Sequence, residues 1–535
     1  MTGATLLVNG RLPGGDTAFA VEDGTVAWVG SSPSVGTGVT VVDLDGATVT
    51  PAFVDAHVHA TSAGLLRTGL DLTGCRSLGE CLDTVRRFAA ATPDTAAPVL
   101  WGHGWDETRW PERRPPTRAE LDDAAGGRPA YLSRVDVHSA LVSTPLAVLA
   151  SDRSGFDRDG PLSAAAHHVV RRAAQDAVTP AQRRAAQLAF LDHAAANGIG
   201  AVHECAGPDI SGVDDLRDLL AAGHGVDVVG YWGELVPSAA RAAEVLAATG
   251  AHGLAGDLFC DGAVGSRTAA LCAPYTDAPG LSGNHYLDAA QVAAHVVACT
   301  EIGVQAGFHV IGDAAMDTIV AGLALAEERV GAAALAARAH RVEHAEMVTP
   351  AQAARLAAWG VVASVQPLFD AHWGGTDGMY AHRLGVDRAV RLNPFALFAE
   401  AGLTLAFGSD APVTAIGPWA AVRAAVHHRT PGSGLTPVAA FAAHTTGGHL
   451  AAGPPPTRQD ANRPPASVSP VSGARNRPYA AVLPGVLVAG APATYAVWDG
   501  DGLDTLAADT PPRCLRTVVR GNTIFDSTST GGASR

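Results

Sequence analysis

The chain has 535 residues, of which 47% are hydrophobic and only 17% are charged. This composition is typical of a globular protein with a large buried core and argues against a mostly disordered chain. The 37 basic and 52 acidic residues give a formal net charge of −15, which disfavours nucleic acid or an anionic membrane as a partner and favours a small molecule.

The sequence contains no lysine, so all 37 residues counted as lysine or arginine are arginines. Schiff-base lyases and aldolases, pyridoxal-phosphate enzymes and P-loop nucleotidases each need a lysine amine at the centre of their chemistry. The absence of lysine therefore excludes these classes of enzyme.

The seven cysteines are odd in number and scattered, and no two of them form a CxxC pair. This pattern indicates neither a disulfide framework nor a thiolate zinc site. The N-terminal stretch MTGATLLVNGRLPGG lacks the regions of a signal peptide, and no run of 18 apolar residues occurs. We expect a soluble protein of the reducing cytoplasm with no membrane partner. A homo-oligomer is left open.

Both ends of the chain contain short strand-like runs. Residues 1–50 contain three such runs with the turn dipeptides Asn9-Gly10 and Asp23-Gly24. Residues 481–530 contain further short strand-like runs of the same kind. We predict that the two ends build one small β-sandwich domain. Residues 451–480, which are rich in proline, serine and arginine, are interpreted as a flexible surface insertion.

Between these ends, residues 51–450 alternate strand-like runs with alanine-rich helical runs, most of which start at a polar cap and end at glycine. Helices are predicted at residues 78–91, 179–198, 288–303, 313–330 and 349–360. Strands are predicted at residues 199–206, 304–312, 340–347, 361–367 and 403–413. The alternation indicates βα units around a parallel sheet, most naturally a barrel.

The stretch TVTPAFVDAHVHA at residues 48–60 places Asp55, His57 and His59 two residues apart, so in a strand all three point to one face. A pair of imidazoles at one strand end can supply two ligands to a single divalent ion. Alone, this spacing is weak evidence, because the chain has 21 histidines and such pairs arise by chance.

Three further residues lie at the carboxyl ends of predicted strands, where barrel active sites assemble: His309, His344 and Asp410. Read singly, each histidine could be an ordinary buried one, and Asp410 could be a helix cap. Together with the histidine pair they suit Zn²⁺ with a position left for water. A bound ion would lower the pKa of that water to about 7, and Asp410 could pass its proton to a leaving nitrogen.

The order of these residues resembles the metal-dependent amidohydrolase superfamily. Longer stretches over nearly the whole chain resemble its family 3 branch, that of N-substituted formamide deformylases: GHGWDETRW (102–110), DVHSALVS (136–143), DGAVGSRTAAL (261–271), FHVIGDAAMD (308–317), RVEHAE (341–346) and GSDAPV (408–413). The resemblance implies a distorted (β/α)₈ barrel with a β-sandwich. It also implies hydrolysis of a non-peptide carbon–nitrogen bond, amide or formamide-like, in a small molecule.

One departure from the family concerns the metal count. Many superfamily members carry a carboxylated lysine that bridges two metals, and the aligned position here is Asp257. Either Asp257 supplies a shorter carboxylate, or the site holds a single ion on His57, His59, His309 and Asp410 with His344 nearby. We favour one firmly held ion, with any second ion dependent on Asp257. Asp55 is expected to support the ligands rather than to bind metal.

The resemblance also suggests residues on the substrate side. His138 is expected to donate to a developing oxyanion, although a structural role is the alternative. Trp105 and Arg267 are candidates for walling the pocket and holding a polar substrate group, although Arg267 could instead tie down its own loop. His203 and Glu204 are kept as supporting groups at a strand end.

The sequence leaves two rival functions open. A deaminase of the same superfamily would need a proton-shuttling acid after His309, and the sequence offers only Asp313, which could simply cap the next helix. A catalytically silent scaffold would be expected to have lost metal ligands, whereas all the histidine and aspartate positions are present.

Overall fold

The computed structural model of the protein describes residues 4–33, 38–94, 97–453, 485–500 and 511–528. The predicted flexible insertion at residues 451–480 lies outside the described residues, apart from its first three positions.

In the described ranges, the strands are β1 (Thr5–Val8), β2 (Ala18–Glu22), β3 (Thr25–Gly30), β4 (Thr40–Asp43), β5 (Thr48–Pro51), β6 (Phe53–Val58), β7 (Leu70–Asp71), β8 (Leu100–Trp105), β9 (Ala130–Arg134), β10 (Ser139–Val142), β11 (Leu162–Ser163), β12 (Ile199–Ala206), β13 (Asp227–Trp232), β14 (Gly307–Val310), β15 (Arg341–His344), β16 (Val362–Val365), β17 (Thr404–Phe407), β18 (Tyr495–Trp498), β19 (Cys514–Val519) and β20 (Asn522–Asp526).

The helices of the same ranges are α1 (Ala60–Thr68), α2 (Leu78–Ala91), α3 (Arg118–Ala124), α4 (Thr144–Ala147), α5 (Ala164–Asp176), α6 (Pro180–Ala196), α7 (Val213–Leu220), α8 (Ala239–Thr249), α9 (Ala289–Glu301), α10 (Asp313–Val330), α11 (Ala332–Ala336), α12 (Pro350–Ala358), α13 (Pro367–Trp373), α14 (Met379–Leu384), α15 (Val386–Ala389), α16 (Phe395–Ala401), α17 (Pro418–Val426), α18 (Pro437–Ala443) and α19 (Thr446–Ala451). None of these described helices has the length and apolar character needed to cross a bilayer.

A closed ring of parallel strands forms the centre of the molecule. Strands β6, β12 and β13 pair in parallel, as do β14, β15, β16 and β17. Residues 253–259 connect the two groups through parallel bridges to β13 and β14, and a bridge between Val58 and Ala411 closes the ring. Because all the strands run in one direction, their carboxyl ends share one rim.

The helices around the ring start where the sequence supplies caps. Thr179 accepts from the backbone of Gln182 and completes a capping box at the start of α6, and Thr349 does the same for α12. The predicted helices at 78–91 and 313–330 have the bounds of α2 and α10, and the predicted strand at 199–206 is β12. The main hydrophobic core lies between these helices and the ring strands.

Two four-stranded sheets form at the chain ends, in the orders β3-β2-β1-β4 and β20-β19-β18-β5. Buried side chains from both sheets form one hydrophobic cluster, in which the rings of Phe19 and Tyr495 meet edge to face at 5.0 Å. Strand β5 leads directly into β6, so this cluster lies beside the start of the ring.

A further five-stranded sheet, in the order β11-β10-β9-β8-β7, was not among the predicted elements. It belongs to residues 70–178, which lie between the first and second ring strands in sequence. From here on, 'the insertion' means residues 70–178 and not the predicted flexible segment at 451–480. Its short apolar strands resemble ring strands, and periodicity cannot tell which sheet an apolar strand joins. The insertion matters because it contributes several side chains near the rim of the ring.

Candidate metal centre

Six buried side chains meet at the rim of the ring. His57 and His344 belong to β6 and β15, His309 belongs to β14, His59 follows β6, Asp410 follows β17, and Asp257 lies in the 253–259 segment. His344 and Asp410 have left-handed backbones, with φ of +70° and +54°. Non-glycine residues rarely adopt this conformation, and it is more common at functional sites.

Four of these side chains have the spacing of ligands around one ion. The Nε2 atom of His57 lies 3.5 Å from Asp257 Oδ1 and 3.6 Å from Asp410 Oδ1. The Nε2 atom of His59 lies 3.2 Å from Asp257 Oδ2 and 3.1 Å from Asp410 Oδ1. A tetrahedral ion with bonds of about 2.0–2.2 Å sets its ligand atoms roughly 3.3–3.6 Å apart. The observed distances are close to this range.

Asp257 also faces the other two histidines. Its Oδ1 atom lies 3.4 Å from His309 Nδ1 and 3.6 Å from His344 Nε2, and the two imidazole rings are 4.4 Å apart. The sequence-based set for a single ion combined His309 with the His57–His59 pair. In the structure His309 lies instead beside Asp257 and His344, and Asp257 stands between the two histidine pairs.

The chemistry of these atoms fits a metal ion. His57 Nε2, Asp257 Oδ1, His309 Nδ1, His344 Nε2 and Asp410 Oδ1 are buried and have no hydrogen-bond partner among the described residues. Leaving one buried polar atom unpaired costs about 1–3 kcal/mol, so five together would be expensive. Nitrogen and carboxylate ligands are those that zinc and similar divalent ions prefer.

Glu343 orients His57, a role that the sequence analysis missed. Its Oε2 atom accepts a 2.9 Å hydrogen bond from His57 Nδ1, and the carboxylate also accepts from Arg341 Nε at 2.8 Å. This bond leaves the Nε2 atom of His57 facing the ligands. Cys205 lies within ligand distance on the Nδ1 side, but that nitrogen is already used by Glu343. The motif RVEHAE, which contains Glu343, was the sequence signal from which this role could have been predicted.

The first and last ring strands are fixed together beneath the ligands. Asp55 accepts from the backbone N–H of Ser409 at 2.8 Å, and the Asp410 N–H donates to the His57 carbonyl at 2.8 Å. A Cβ added at Gly408 would lie 2.6 Å from the Cβ of His57, so only glycine allows this approach. Asp55 therefore supports the site and does not face the other ligands.

The charges of the site shift the pKa values of its groups. Burial alone would lower the pKa of His59, but the close approach of its ring to the carboxylates of Asp257 and Asp410 raises it to about 9. Burial opposes the charge on Asp257, yet the charge of His57 and the close approach of the His309 and His344 rings hold the pKa of Asp257 well below its usual value. The metal-free site therefore holds protons that a cation would displace.

An inner cavity adjoins the ligands. The ligands on its lining are His59, Asp257, His309, His344 and Asp410, and the insertion adds His138, His167, His168 and Arg171. The ring of His138 lies 5.2 Å from that of His309 and has no hydrogen-bond partner among the described residues. Burial, with the nearby charge of His309, keeps the pKa of His138 well below its usual value.

Two predicted substrate-side residues do not face this cavity. Trp105 packs in the core of the insertion and donates its indole N–H to the Leu132 carbonyl, because its strand turns the ring inward. Arg267 forms a two-point ion pair with Asp277, and Arg383 binds the same carboxylate, so Arg267 ties down its own loop.

The other candidates have structural contacts. His203 accepts from Arg341 Nη1 at 2.8 Å, and Glu204 accepts from the N–H of Ala60 at the start of α1 at 2.7 Å. Asp313 is the first residue of α10 and accepts from the backbone N–H of Cys272 at 2.9 Å. These three side chains are absent from the lining of the inner cavity.

Known proteins share this fold. The fold has a TM-score of 0.69 to a crystal structure of an uncharacterized metal-dependent hydrolase from Pyrococcus furiosus, at 24% identity over 94% of this chain and 100% of that one. This likeness concerns the fold alone. The chain belongs to the amidohydrolase family, whose model matches residues 40–455.

Two curated relatives show how far the similarity extends in sequence. The chain is 28% identical to Protein LONG AFTER FAR-RED 3 of Arabidopsis thaliana, over 80% of this chain and 77% of that protein. It is 30% identical to N-substituted formamide deformylase of Arthrobacter pascens, over 24% of each chain. The resemblance expected from the sequence motifs is thereby confirmed.

Proposed function

We propose that the protein is a metal-dependent hydrolase that cleaves a non-peptide carbon–nitrogen bond, amide or formamide-like, in a small molecule. The observation that carries the proposal is the set of five buried, unpartnered ligand atoms that converge at the rim of the ring. Membership of the amidohydrolase family supports hydrolysis. The name of the formamide deformylase relative supports the kind of bond.

The metal of this proposal is zinc or a similar divalent ion. His57, His59, Asp410 and Asp257 would hold one ion firmly. Asp257, with His309 and His344, would hold a second ion more weakly, and this position would depend on Asp257 because the two histidines alone offer few ligands. The ligand-atom spacings of 3.1–3.6 Å support both positions.

A divalent ion bound there would make a water more acidic and polarise the substrate carbonyl. The residues of the chain supply the remaining steps. The Asp410 carboxylate accepts a proton from the attacking water and returns it to the leaving nitrogen. The neutral ring of His138 donates an N–H to the developing oxyanion. Glu343 keeps the Nε2 atom of His57 directed at the site.

We further propose that the closed ring is a distorted (β/α)₈ barrel and that the two end sheets form a β-sandwich. The parallel order of the ring segments supports the first assignment, and the shared hydrophobic cluster supports the second. A cytoplasmic location is proposed because all seven cysteines are free.

The rival functions fit the site less well. A deaminase would use an acid near His309 to shuttle protons, but Asp313 is engaged with the Cys272 backbone at a helix start. A silent scaffold has no need for the buried unpartnered ligand atoms, each of which costs stability. Products distinguish the enzymes, since a deaminase releases ammonia and an amide hydrolase releases an acid and an amine.

The test combines metal analysis with a substrate panel of N-formyl and N-acyl amines. We expect the purified protein to bind zinc and to hydrolyse at least one panel compound. His57→Ala is expected to abolish turnover while the circular dichroism spectrum is kept, and His285→Ala, at an exposed histidine, should leave turnover unchanged. A folded protein that takes up no zinc, or full turnover in His57→Ala, would contradict the proposal.

A further inference from the structure

The insertion places an arginine in the inner cavity without a counter-ion. Arg171 lies in α5, is only 6% exposed and lines the cavity that contains the metal-ligand candidates. Within the described residues, no carboxylate lies within 4.0 Å of its guanidinium, and no acceptor forms a hydrogen bond with it. Every donor of this buried cation is therefore available to a ligand.

The surroundings of Arg171 do not neutralise its charge. Burial and the charge of Arg171 hold the pKa of His167 well below its usual value, and burial lowers the pKa of His168. His167 bonds to the hydroxyl of Tyr131 at 2.8 Å. The two carboxylates on the cavity lining, Asp257 and Asp410, are occupied with the histidines of the metal centre.

A buried cation without a counter-ion is costly, because its hydration is lost and nothing replaces it. Such a group is retained at a site when a ligand supplies the missing charge. The planar guanidinium presents parallel N–H donors that match the two oxygens of a carboxylate. Since the cavity also contains the ligands of the metal centre, a carboxylate on Arg171 would belong to the same small molecule as the bond that is cleaved.

We propose that Arg171 determines substrate specificity by binding a carboxylate of the substrate, so that the protein acts on N-acyl or N-formyl compounds that carry a carboxylate near the scissile carbon–nitrogen bond. This inference rests on the proposed function for the bond that is cleaved. The binding of the carboxylate itself depends only on Arg171 and its cavity.

The test measures binding rather than turnover. N-formyl and N-acetyl amino acids are each paired with the corresponding primary amide, which has the same shape without the charge. Affinities are measured by calorimetry for zinc-loaded wild type, Arg171→Met, Arg171→Lys and Arg172→Met. Arg172 is the matched control, because it is the next residue of α5 but is half exposed and paired with Asp209.

We expect the wild type to bind the acid of at least one pair about tenfold to hundredfold more tightly than its amide, as hydrogen bonds between charged groups allow. Arg171→Met should lose this preference and keep the affinity for the amide. Arg171→Lys should keep part of it, because lysine retains the charge but lacks the planar fork. Arg172→Met should behave as the wild type.

Three results would overturn the inference. The first is equal or absent binding of acid and amide in every pair by the wild type. The second is a preference for acids that persists in Arg171→Met, since the metal would then hold the carboxylate. The third is a melting temperature of ligand-free Arg171→Met below that of Arg172→Met, because removing an unpaired buried charge should not destabilise the fold.

The outcome is separable from the proposed function. Acid binding that needs Arg171, without hydrolysis of any compound, supports this inference and contradicts the proposed function. Hydrolysis of neutral amides without any preference for acids supports the proposed function and contradicts this inference.

Discussion

Replacement of Glu343 by glutamine tests whether this buried carboxylate organises the metal centre. Glu343 is fully buried and accepts hydrogen bonds from His57 Nδ1 at 2.9 Å and from Arg341 Nε and Nη2 at 2.8 and 3.0 Å. Glutamine has nearly the same shape but keeps only one acceptor oxygen. Its NH₂ group would face either His57 or Arg341, both of which are donors in this arrangement.

The size of the effect follows from these contacts. The buried guanidinium of Arg341 would lose its only counter-charge within the described core. It would keep its cation–π contact with Tyr231, whose ring centre lies 4.4 Å from the guanidinium carbon. Breaking one partner of a buried ion pair costs about 3–5 kcal/mol. Loss of the hydrogen bond that orients a metal-binding histidine lowers metal affinity about 10–100-fold.

The assay has two parts. Chemical denaturation of the metal-free protein measures the loss of stability, and competition with a chromogenic chelator measures zinc affinity. Glu244→Gln is the matched control, since Glu244 pairs with Arg241 on an exposed face of α8 and its loss should cost less than about 1 kcal/mol. If Glu343→Gln is indistinguishable from Glu244→Gln in both measurements, Glu343 does not organise the site.

Two further predictions concern the metal itself. Asp257→Asn should reduce the zinc content of dialysed protein to at most one ion per chain, as measured by mass spectrometry of the metal. Asp192→Asn, at an exposed aspartate, is the control. A second ion that stays bound in Asp257→Asn would show that Asp257 is not shared between two ions. The pKa of His59 is about 9 without metal, so zinc must displace a proton from this ring below that pH. The affinity for zinc should therefore rise with pH up to about pH 9, by about tenfold per pH unit for each proton released. Calorimetry in two buffers of different ionisation enthalpy counts the protons, and a count of zero would refute this account.

The sequence was most informative where local pattern and ring topology coincide. His57, His309, His344 and Asp410 each lie at or near the carboxyl end of an apolar strand, and parallel strands bring their carboxyl ends to one rim. Helix bounds such as those of α10 were also predictable, because caps and periodicity are local signals. These features need no knowledge of long-range contacts.

Other parts of the site depend on contacts that no local pattern reveals. Residues 70–178 were expected to be ordinary βα units, yet they form a separate sheet with its own helices. The connection between β9 and β10 brings His138 to the inner cavity, and α5 brings Arg171 there. Trp105 was expected in the pocket because its motif resembles the family, but the direction of its side chain is set by the packing of that sheet. The contact between Glu343 and His57 likewise joins residues 286 positions apart in the sequence, although Glu343 and Arg341 are only two positions apart.

The position of Asp257 fits the proposal that its carboxylate takes the place of the missing lysine. An aspartate carries its carboxylate only two bonds from Cα, so the backbone itself must come close to the ligands. Two glycines allow this approach: a Cβ on Gly233 would lie 2.7 Å from the carbonyl carbon of Asp257, and one on Gly256 would lie 2.9 Å from the Cβ of Cys205. Gly256 also has a φ of +79°, which favours glycine. The short carboxylate and these two glycines therefore act together, because a side chain at either glycine would push Asp257 away from the four histidines that surround it.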